Sequence, residues 1–133
     1  MTPDMATAIT RALLIRHPWI DMILAGRKTW EIRGSRTMIR GSIGLIPSRS
    51  GTVAGVCDVI DCIGPLSAEV FRKNAAKAGM TPSEATLGHY RDTYAWVLAN
   101  PRRFTKPVPY RHPSGAVIWV SLDRGVQRAI GRG

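Results

Sequence analysis

The segment from Thr52 to Ile63 constrains the fold more than any other part of the sequence. Apolar side chains occur at both alternating sets of positions, with Val53 and Val59 in one set and Val56 in the other. Since successive side chains of a strand point to opposite faces, both faces of this strand should be buried. The segment therefore predicts a long strand inside a closed or covered sheet.

Shorter segments with the pattern of strands lie on both sides of this one. They are residues 9–16, 29–33, 42–48, 94–98 and 116–121. Short helices are predicted at residues 18–26, at residues 67–78 with Ser67 as the cap, and from Thr81, which precedes a proline. About six strands with about three short helices predict an α+β fold, most economically a small β-barrel with helices at its ends.

The remaining segments set the limits of the domain. Residues 100–103 predict a turn, and residues 106–109 are extended but interrupted by prolines, as expected for an edge strand. Residues 123–133 are rich in Gly and Arg and predict a C-terminal tail. Because the sequence has no repeat and no linker, we expect one domain at residues 8–122, followed by that tail.

The charge of the chain points to a polyanionic partner. Nineteen Lys and Arg residues stand against nine Asp and Glu residues, which gives a formal net charge of +10 over 133 residues. Arginine supplies most of the excess, and its planar guanidinium group suits phosphate. Nucleic acid is therefore predicted ahead of an anionic membrane, and the alternative is a basic surface with no specific ligand.

The sequence predicts neither a metal site nor a bound cofactor. His17, His89 and His112 are far apart and lack metal-ligand spacing, and the chain has no Gly-rich phosphate loop or nucleophile elbow. Cys57 and Cys62 are expected on opposite faces of one strand, so a mutual disulfide is not expected. With free thiols, no bilayer-spanning stretch and no secretion signal at residues 1–4, the predicted location is the cytoplasm.

Residues 26–33, Gly-Arg-Lys-Thr-Trp-Glu-Ile-Arg, contain the most promising group of functional side chains. In a regular strand, Trp30 and Ile32 would face one side, while Thr29, Glu31 and Arg33 would face the other. The apolar face would then anchor the strand in the core. The polar face would line whatever lies opposite.

Lys28 is harder to place, because strand alternation puts it on the face opposite Glu31. A turn after Gly26, where glycine can adopt the left-handed conformation that often follows a helix, would bring the two side chains together. The pair has two interpretations. It is either a structural ion pair or a functional pair, with Lys28 as a base or anion clamp and Glu31 as a proton-transfer group.

Basic residues are concentrated in the first third of the chain and again after the strand at residues 94–98. If the barrel brings these groups together, they form a cationic cleft with aromatic surfaces for stacking. The alternative is a solvated basic face on each segment. The predicted nucleic-acid-binding residues are Trp19, Lys28, Thr29, Glu31, Arg33, Arg36, Arg40, Ser48, Arg49, Arg102 and Arg103.

Four segments together resemble the ASCH family, whose members are small barrels similar to the PUA domain. They are residues 17–19, His-Pro-Trp; residues 26–33; residues 94–98, Tyr-Ala-Trp-Val-Leu; and residues 107–110, Pro-Val-Pro-Tyr. The resemblance extends from about Leu13 to Leu122. It implies a β-barrel whose cleft is lined by Lys28, Glu31 and Arg33, and a role in binding RNA or DNA.

Some similar proteins are hydrolases that remove the acetyl group from acetylcytidine, using a lysine, a threonine three residues later and a distant glutamate. Lys28 matches that lysine, but Glu31 occupies the position of the threonine. A carboxylate cannot serve as the same activated hydroxyl nucleophile. Other members of the family are ribonucleases.

Nucleic-acid binding is therefore the leading prediction for this chain. A hydrolase of a modified nucleoside, or a ribonuclease, with Lys28 and Glu31 as an acid–base pair is the first alternative. A protein-interaction adaptor that docks partners on residues 106–113 is the second. The sequence leaves the oligomeric state open.

Overall fold

The chain forms one six-stranded mixed sheet with three α-helices, in a computed structural model that describes residues 8–132. The predictions for residues 1–4 and for Gly133 of the tail lie outside this range. The strands are β1 (Arg11–Ile15), β2 (Trp30–Arg33), β3 (Gly41–Pro47), β4 (Thr52–Ile63), β5 (Tyr94–Pro109) and β6 (Trp119–Ser121). The helices are α1 (Trp19–Leu24), α2 (Ala68–Lys73) and α3 (Arg124–Arg132), with a 3₁₀ turn at Ala75–Ala78.

The sheet has the order β2-β5-β4-β3-β1-β6 and curls into a half-barrel. All neighbouring pairs are antiparallel except β1 and β3, which are parallel. The α+β barrel-like fold and the number of strands agree with the sequence prediction. Since β2 pairs only with the beginning of β5, the later part of β5 forms a sheet edge, and that edge includes residues 106–109.

Strand β4 has the bounds predicted from its apolar run. Val59 enters one buried cluster with residues of β1, α1 and β3, whereas Val53 and Val56 enter another. The predicted grouping of Val53 with Val59 was therefore wrong, because register shifts interrupt the alternation between them. The prediction that Cys57 and Cys62 lie on opposite faces was wrong, because both pack against the same cluster. A register shift between Val59 and Asp61 inserts one residue into the ladder and reverses the alternation beyond it. Both thiols are free.

The predicted turn at residues 100–103 is instead an irregularity within β5, which continues to Pro109. Asn100 has a positive φ of 53°, and its side-chain amide donates a 2.9 Å hydrogen bond to Asp58 of β4. Asparagine tolerates this left-handed conformation, so the chain bulges and then resumes pairing. The change of direction expected from Asn-Pro therefore does not occur.

Two helix predictions also need correction. The segment at Thr81 forms a single turn, in which Glu84 accepts hydrogen bonds from the Thr81 amide and hydroxyl at 2.8 and 3.0 Å. The predicted tail contains α3 instead. Val126 and Ile130, four residues apart, are buried against β5 and β6, and Asp123 caps the helix through the Val126 amide. The number of helices was right, but the third helix lies at the C-terminus.

Candidate functional site

A turn between α1 and β2 places Lys28. Gly26 has a φ of 80°, and the amides of Arg27 and Lys28 both donate to the Met22 carbonyl, at 2.9 and 3.1 Å. Glycine is suited to this left-handed conformation because it has no Cβ. The turn moves Lys28 to the same side of β2 as Glu31, which is the second of the two arrangements considered from the sequence.

Lys28 is buried, with 3% of its surface exposed, and its ammonium group contacts two carbonyls and a carboxylate. Nζ donates to the carbonyls of Trp30 and Ala78, both at 2.7 Å, and lies 3.7 Å from Oε1 of Glu31. The two carbonyls accept two of the three ammonium protons, and the Glu31 carboxylate lies close enough for an ion pair. Burial lowers the pKa of Lys28, and the nearby Glu31 carboxylate opposes that shift.

Glu31 connects Lys28 to Arg33. Its Oε2 accepts from Nε of Arg33 at 2.8 Å and lies 2.7 Å from Nη2. Nη2 also donates to the Leu14 carbonyl on β1 at 3.0 Å. Lys28, Glu31 and Arg33, hereafter the polar triplet, therefore link β2 to β1 across the mouth of the half-barrel. The formal charge of the polar triplet is +1.

A cleft of about 670 Å³ opens over the polar triplet. Its volume lies within the range of roughly 300–1,000 Å³ that is usual for ligand pockets. The wall residues with polar or aromatic groups, besides the polar triplet, are Arg16, Trp19, Ser48, Phe71, Glu84, Thr86, His89, Tyr90 and Thr93.

Aromatic rings stand on two sides of the cleft. The Trp19 ring at the start of α1 lies with its centroid 5.0 Å from Nζ of Lys28, within cation–π range. The Tyr90 ring rests on Gly34, where a Cβ atom would lie only 2.5 Å from Cδ1 of Tyr90. A glycine at position 34 is therefore required for the ring to stay where it is.

Charge is distributed unevenly around the cleft. Arg16 is exposed on its wall, and within residues 8–132 it forms no ion pair. Glu84, also on the wall, is held by the Thr81 amide and hydroxyl, which lower the pKa of the carboxyl group. Glu84 is therefore an anion at neutral pH. An anionic ligand group is attracted to Arg16 and repelled by Glu84.

Five of the predicted site residues line the cleft: Trp19, Lys28, Glu31, Arg33 and Ser48. Arg49 does not, but it lines a cavity that adjoins the cleft. Thr29 directly precedes β2 and does not line the cleft, and its carbonyl accepts from the Leu98 amide at 2.7 Å.

The other four predicted arginines lie elsewhere. The Arg36 guanidinium lies 5.1 Å from the Tyr94 ring centroid and donates to the Gly64 carbonyl. Arg40 lines a separate surface cavity beside β3 and β4. Arg102 and Arg103 are successive residues of β5, so their side chains point to opposite faces. Arg103 pairs with Asp21 of α1 at 3.1 Å, whereas Arg102 lies over the Phe104 ring.

The wall that lies between the 3₁₀ turn and β5 was not predicted from the sequence. Thr86, His89, Tyr90 and Thr93 all belong to an irregular segment that has no helical or strand periodicity. The only signal was a pair of adjacent aromatic residues, His89 and Tyr90, in a polar stretch.

No cluster of His, Cys, Asp and Glu side chains suitable for a metal ion occurs within residues 8–132. The helices of this range are all too short or too polar to cross a membrane.

Comparisons with known proteins agree with this architecture. A search of curated proteins finds no match. The fold is similar to the crystal structure of an ASCH protein from Zymomonas mobilis, with a TM-score of 0.68 and 12% identity over 89% of this chain and 90% of that one. A serine-to-alanine variant and a tyrosine-to-phenylalanine variant of that protein give the same TM-score and identity, over 90% of this chain and 92% and 94% of theirs. The ASCH domain family model matches residues 13–108, which is most of the chain. The chain therefore belongs to the ASCH family.

Proposed function

We propose that the protein binds RNA or DNA through the cleft above the polar triplet. The observation that carries the proposal is that one cleft combines the aromatic rings of Trp19 and Tyr90 with the exposed guanidinium group of Arg16. Proteins that bind single-stranded nucleic acids combine aromatic platforms for the bases with cations for the phosphates. The cleft offers both groups to a nucleotide whose base is unpaired.

The side chains of the polar triplet form the fixed base of this proposed site. They are not free to move toward a phosphate group. Lys28 and Glu31 are buried, and each is engaged with protein groups. Arg33 is only partly exposed and is bound to Glu31 and to the Leu14 carbonyl. Such fixed groups can present a positive field to a ligand without the cost of ordering their side chains.

An acid–base role for Lys28 has one observation in its favour, because burial lowers the pKa of this residue toward the range useful in catalysis. The geometry favours binding instead. Two ammonium protons are donated to backbone carbonyls, and the buried group is held 3.7 Å from the Glu31 carboxylate rather than presented to a ligand. The hydrolase hypothesis predicts release of acetate from acetylcytidine, and the ribonuclease hypothesis predicts cleavage of RNA. We expect neither product from the purified protein.

Fluorescence anisotropy with labelled hexanucleotides of mixed RNA or DNA sequence tests the binding proposal. Tyr90→Leu removes the aromatic ring, and Tyr90→Phe retains it. We expect Tyr90→Leu to weaken binding by about 1–3 kcal/mol, the range for loss of a base–aromatic stack, and Tyr90→Phe to bind like the wild type. Failure of the wild type to bind either hexanucleotide, or equal affinities for all three proteins, would contradict the proposal.

A further inference from the structure

The cleft adjoins a second cavity of about 890 Å³. Four residues line both spaces: Leu14, Arg16, Ser48 and Val117. Val117 has 77% of its surface exposed, and Arg16 is also exposed, so the boundary between the two spaces lies open to solvent. A ligand long enough to occupy both can cross this boundary without moving a buried side chain.

The second cavity is more cationic than the cleft. It is lined by Arg16 and Arg49, whereas no Asp or Glu residue in the described range lines it. The cleft, by contrast, has Glu84 on its wall. Within residues 8–132 neither Arg16 nor Arg49 takes part in an ion pair. Both guanidinium groups are therefore available to an anion at the boundary and just beyond it.

The backbone of Arg49 supports a functional role for this residue. It has a φ of 68° in the turn between β3 and β4, a conformation that is unfavourable for a residue with a long side chain. Such outliers are concentrated at binding sites. The turn directs an arginine into the second cavity where glycine or asparagine would suit the backbone better.

The opposite wall of the second cavity is held in place by hydrogen bonds. Nε2 of His112 lies 2.8 Å from the Ala116 carbonyl and must therefore carry the proton. In the neutral ring, Nδ1 then accepts from the Tyr110 hydroxyl at 2.9 Å. These bonds fix the segment between β5 and β6 and present the half-buried Tyr110 ring at the cavity.

We infer that the ligand is a single-stranded oligonucleotide of at least two nucleotides, with one base in the cleft and the next nucleotide in the second cavity. Arg16 would hold the phosphodiester at the boundary, and Arg49 would hold the following phosphate. This inference rests on the proposed function and extends it. A free nucleoside could fill only the cleft and would leave both arginines without an anion.

The experiment is a competition assay in which unlabelled ligands displace a labelled mixed-sequence RNA hexamer. The competitors are uridine and adenosine, their 5′-monophosphates and 5′-triphosphates, and the corresponding dinucleotides and tetranucleotides. The triphosphates add phosphate groups but no second nucleotide, so they distinguish the effect of added phosphate on affinity from the effect of a second nucleotide. We expect dinucleotides to bind about tenfold more tightly than the nucleosides, from the added charged contact of Arg16 with the phosphodiester, and more tightly than the mono- and triphosphates, from the second nucleotide in the second cavity.

Arg49→Asn, which suits the positive φ, should weaken binding of the tetranucleotides and the hexamer about tenfold and leave binding of the monophosphates unchanged. Arg27→Asn is the control, since Arg27 is exposed and lines neither cavity. Three results would overturn the inference while leaving the proposed function intact. They are competitor affinities that do not depend on competitor length, triphosphates that bind as tightly as dinucleotides, and equal effects of the two variants. A hexamer that does not bind at all would overturn both.

Discussion

Two arginine-lined surfaces differ in what surrounds the charge. One is the cleft with its second cavity, where Arg16 and Arg49, hereafter the rim pair, stand beside aromatic rings. The other is a groove of about 530 Å³ beside α3, where Arg124 and Arg128, hereafter the helix pair, stand near Arg102. No aromatic ring among the described residues lines this groove, and the buried groups beneath it are apolar.

Formal charge alone therefore does not locate the proposed binding site of this protein. Both surfaces would attract phosphate at long range, but of the two only the cleft has aromatic rings beside fixed polar groups, as the proposed stacking of a base requires. The net charge of +10 therefore predicts a class of partner rather than a location. We therefore expect substitutions on the two surfaces to have unequal effects.

The largest expected difference is in stability. Glu31→Gln keeps the shape of the side chain but leaves Lys28 and Arg33 without their shared carboxylate. Removing one partner of a buried ion pair costs about 3–5 kcal/mol, so we expect a loss of that size in the free energy of unfolding by urea. Arg124→Gln, on the exposed face of α3, should change it by less than about 0.5 kcal/mol. Equal free energies of unfolding for the two variants would show that the polar triplet is a solvated group, like the helix pair.

A smaller difference, in affinity for the hexanucleotide, is expected when the same substitution, Gly→Ala, is made on each surface. Gly34→Ala puts a methyl group 2.5 Å from the Tyr90 ring, which must move out of the cleft wall. We expect affinity for the hexanucleotide to fall about tenfold, within the range for loss of a stacked base. Gly131→Ala in α3 has open space around the new methyl group and favours the helix, so affinity should stay the same and stability should rise by up to about 1 kcal/mol.

Ser35→Ala is the control for Gly34→Ala, because it alters the neighbouring residue but keeps the Ser35 carbonyl that accepts from the Trp96 indole. Its affinity should match that of the wild type. If Gly34→Ala binds as tightly as Ser35→Ala, the Tyr90 ring does not contact the ligand.

Much of the fold was predictable because its signals are local. The apolar run of β4 defined that strand, and Gly26 indicated the turn that brings Lys28 to Glu31. The bulge at Asn100 was not predictable, because Asn-Pro also suits a turn, and the sequence does not show that Asp58 would accept its amide proton. Helix α3 was hidden because two buried residues, Val126 and Ile130, are surrounded by Gly and Arg.

Part of the candidate site was also predictable, because its residues are close together in the sequence. The polar triplet lies within six consecutive residues, so one turn and one strand were enough to assemble it. The Tyr90 wall depends on an irregular segment held by Gly34 through a contact between distant residues. The arginines that were predicted to converge are dispersed, since strand alternation directs Arg102 and Arg103 to opposite faces.

The salt dependence of binding tests the central claim most directly. Affinity for a single-stranded hexanucleotide is measured at several salt concentrations for the wild type and for two double variants. Arg16→Gln with Arg49→Asn removes the rim pair, and Arg124→Gln with Arg128→Gln removes the helix pair. Both variants lower the formal net charge by two, from +10 to +8, so their long-range attraction is matched.

Each phosphate neutralised on a single strand contributes about −0.7 to the slope of log affinity against log salt, so two phosphates at the rim pair predict a slope of about −1.4. We expect the rim variant to bind weakly with a clearly flatter slope, and the helix variant to keep both the affinity and the slope of the wild type. Equal losses of affinity and slope in the two variants would contradict the account, since total charge rather than the cleft would then determine binding.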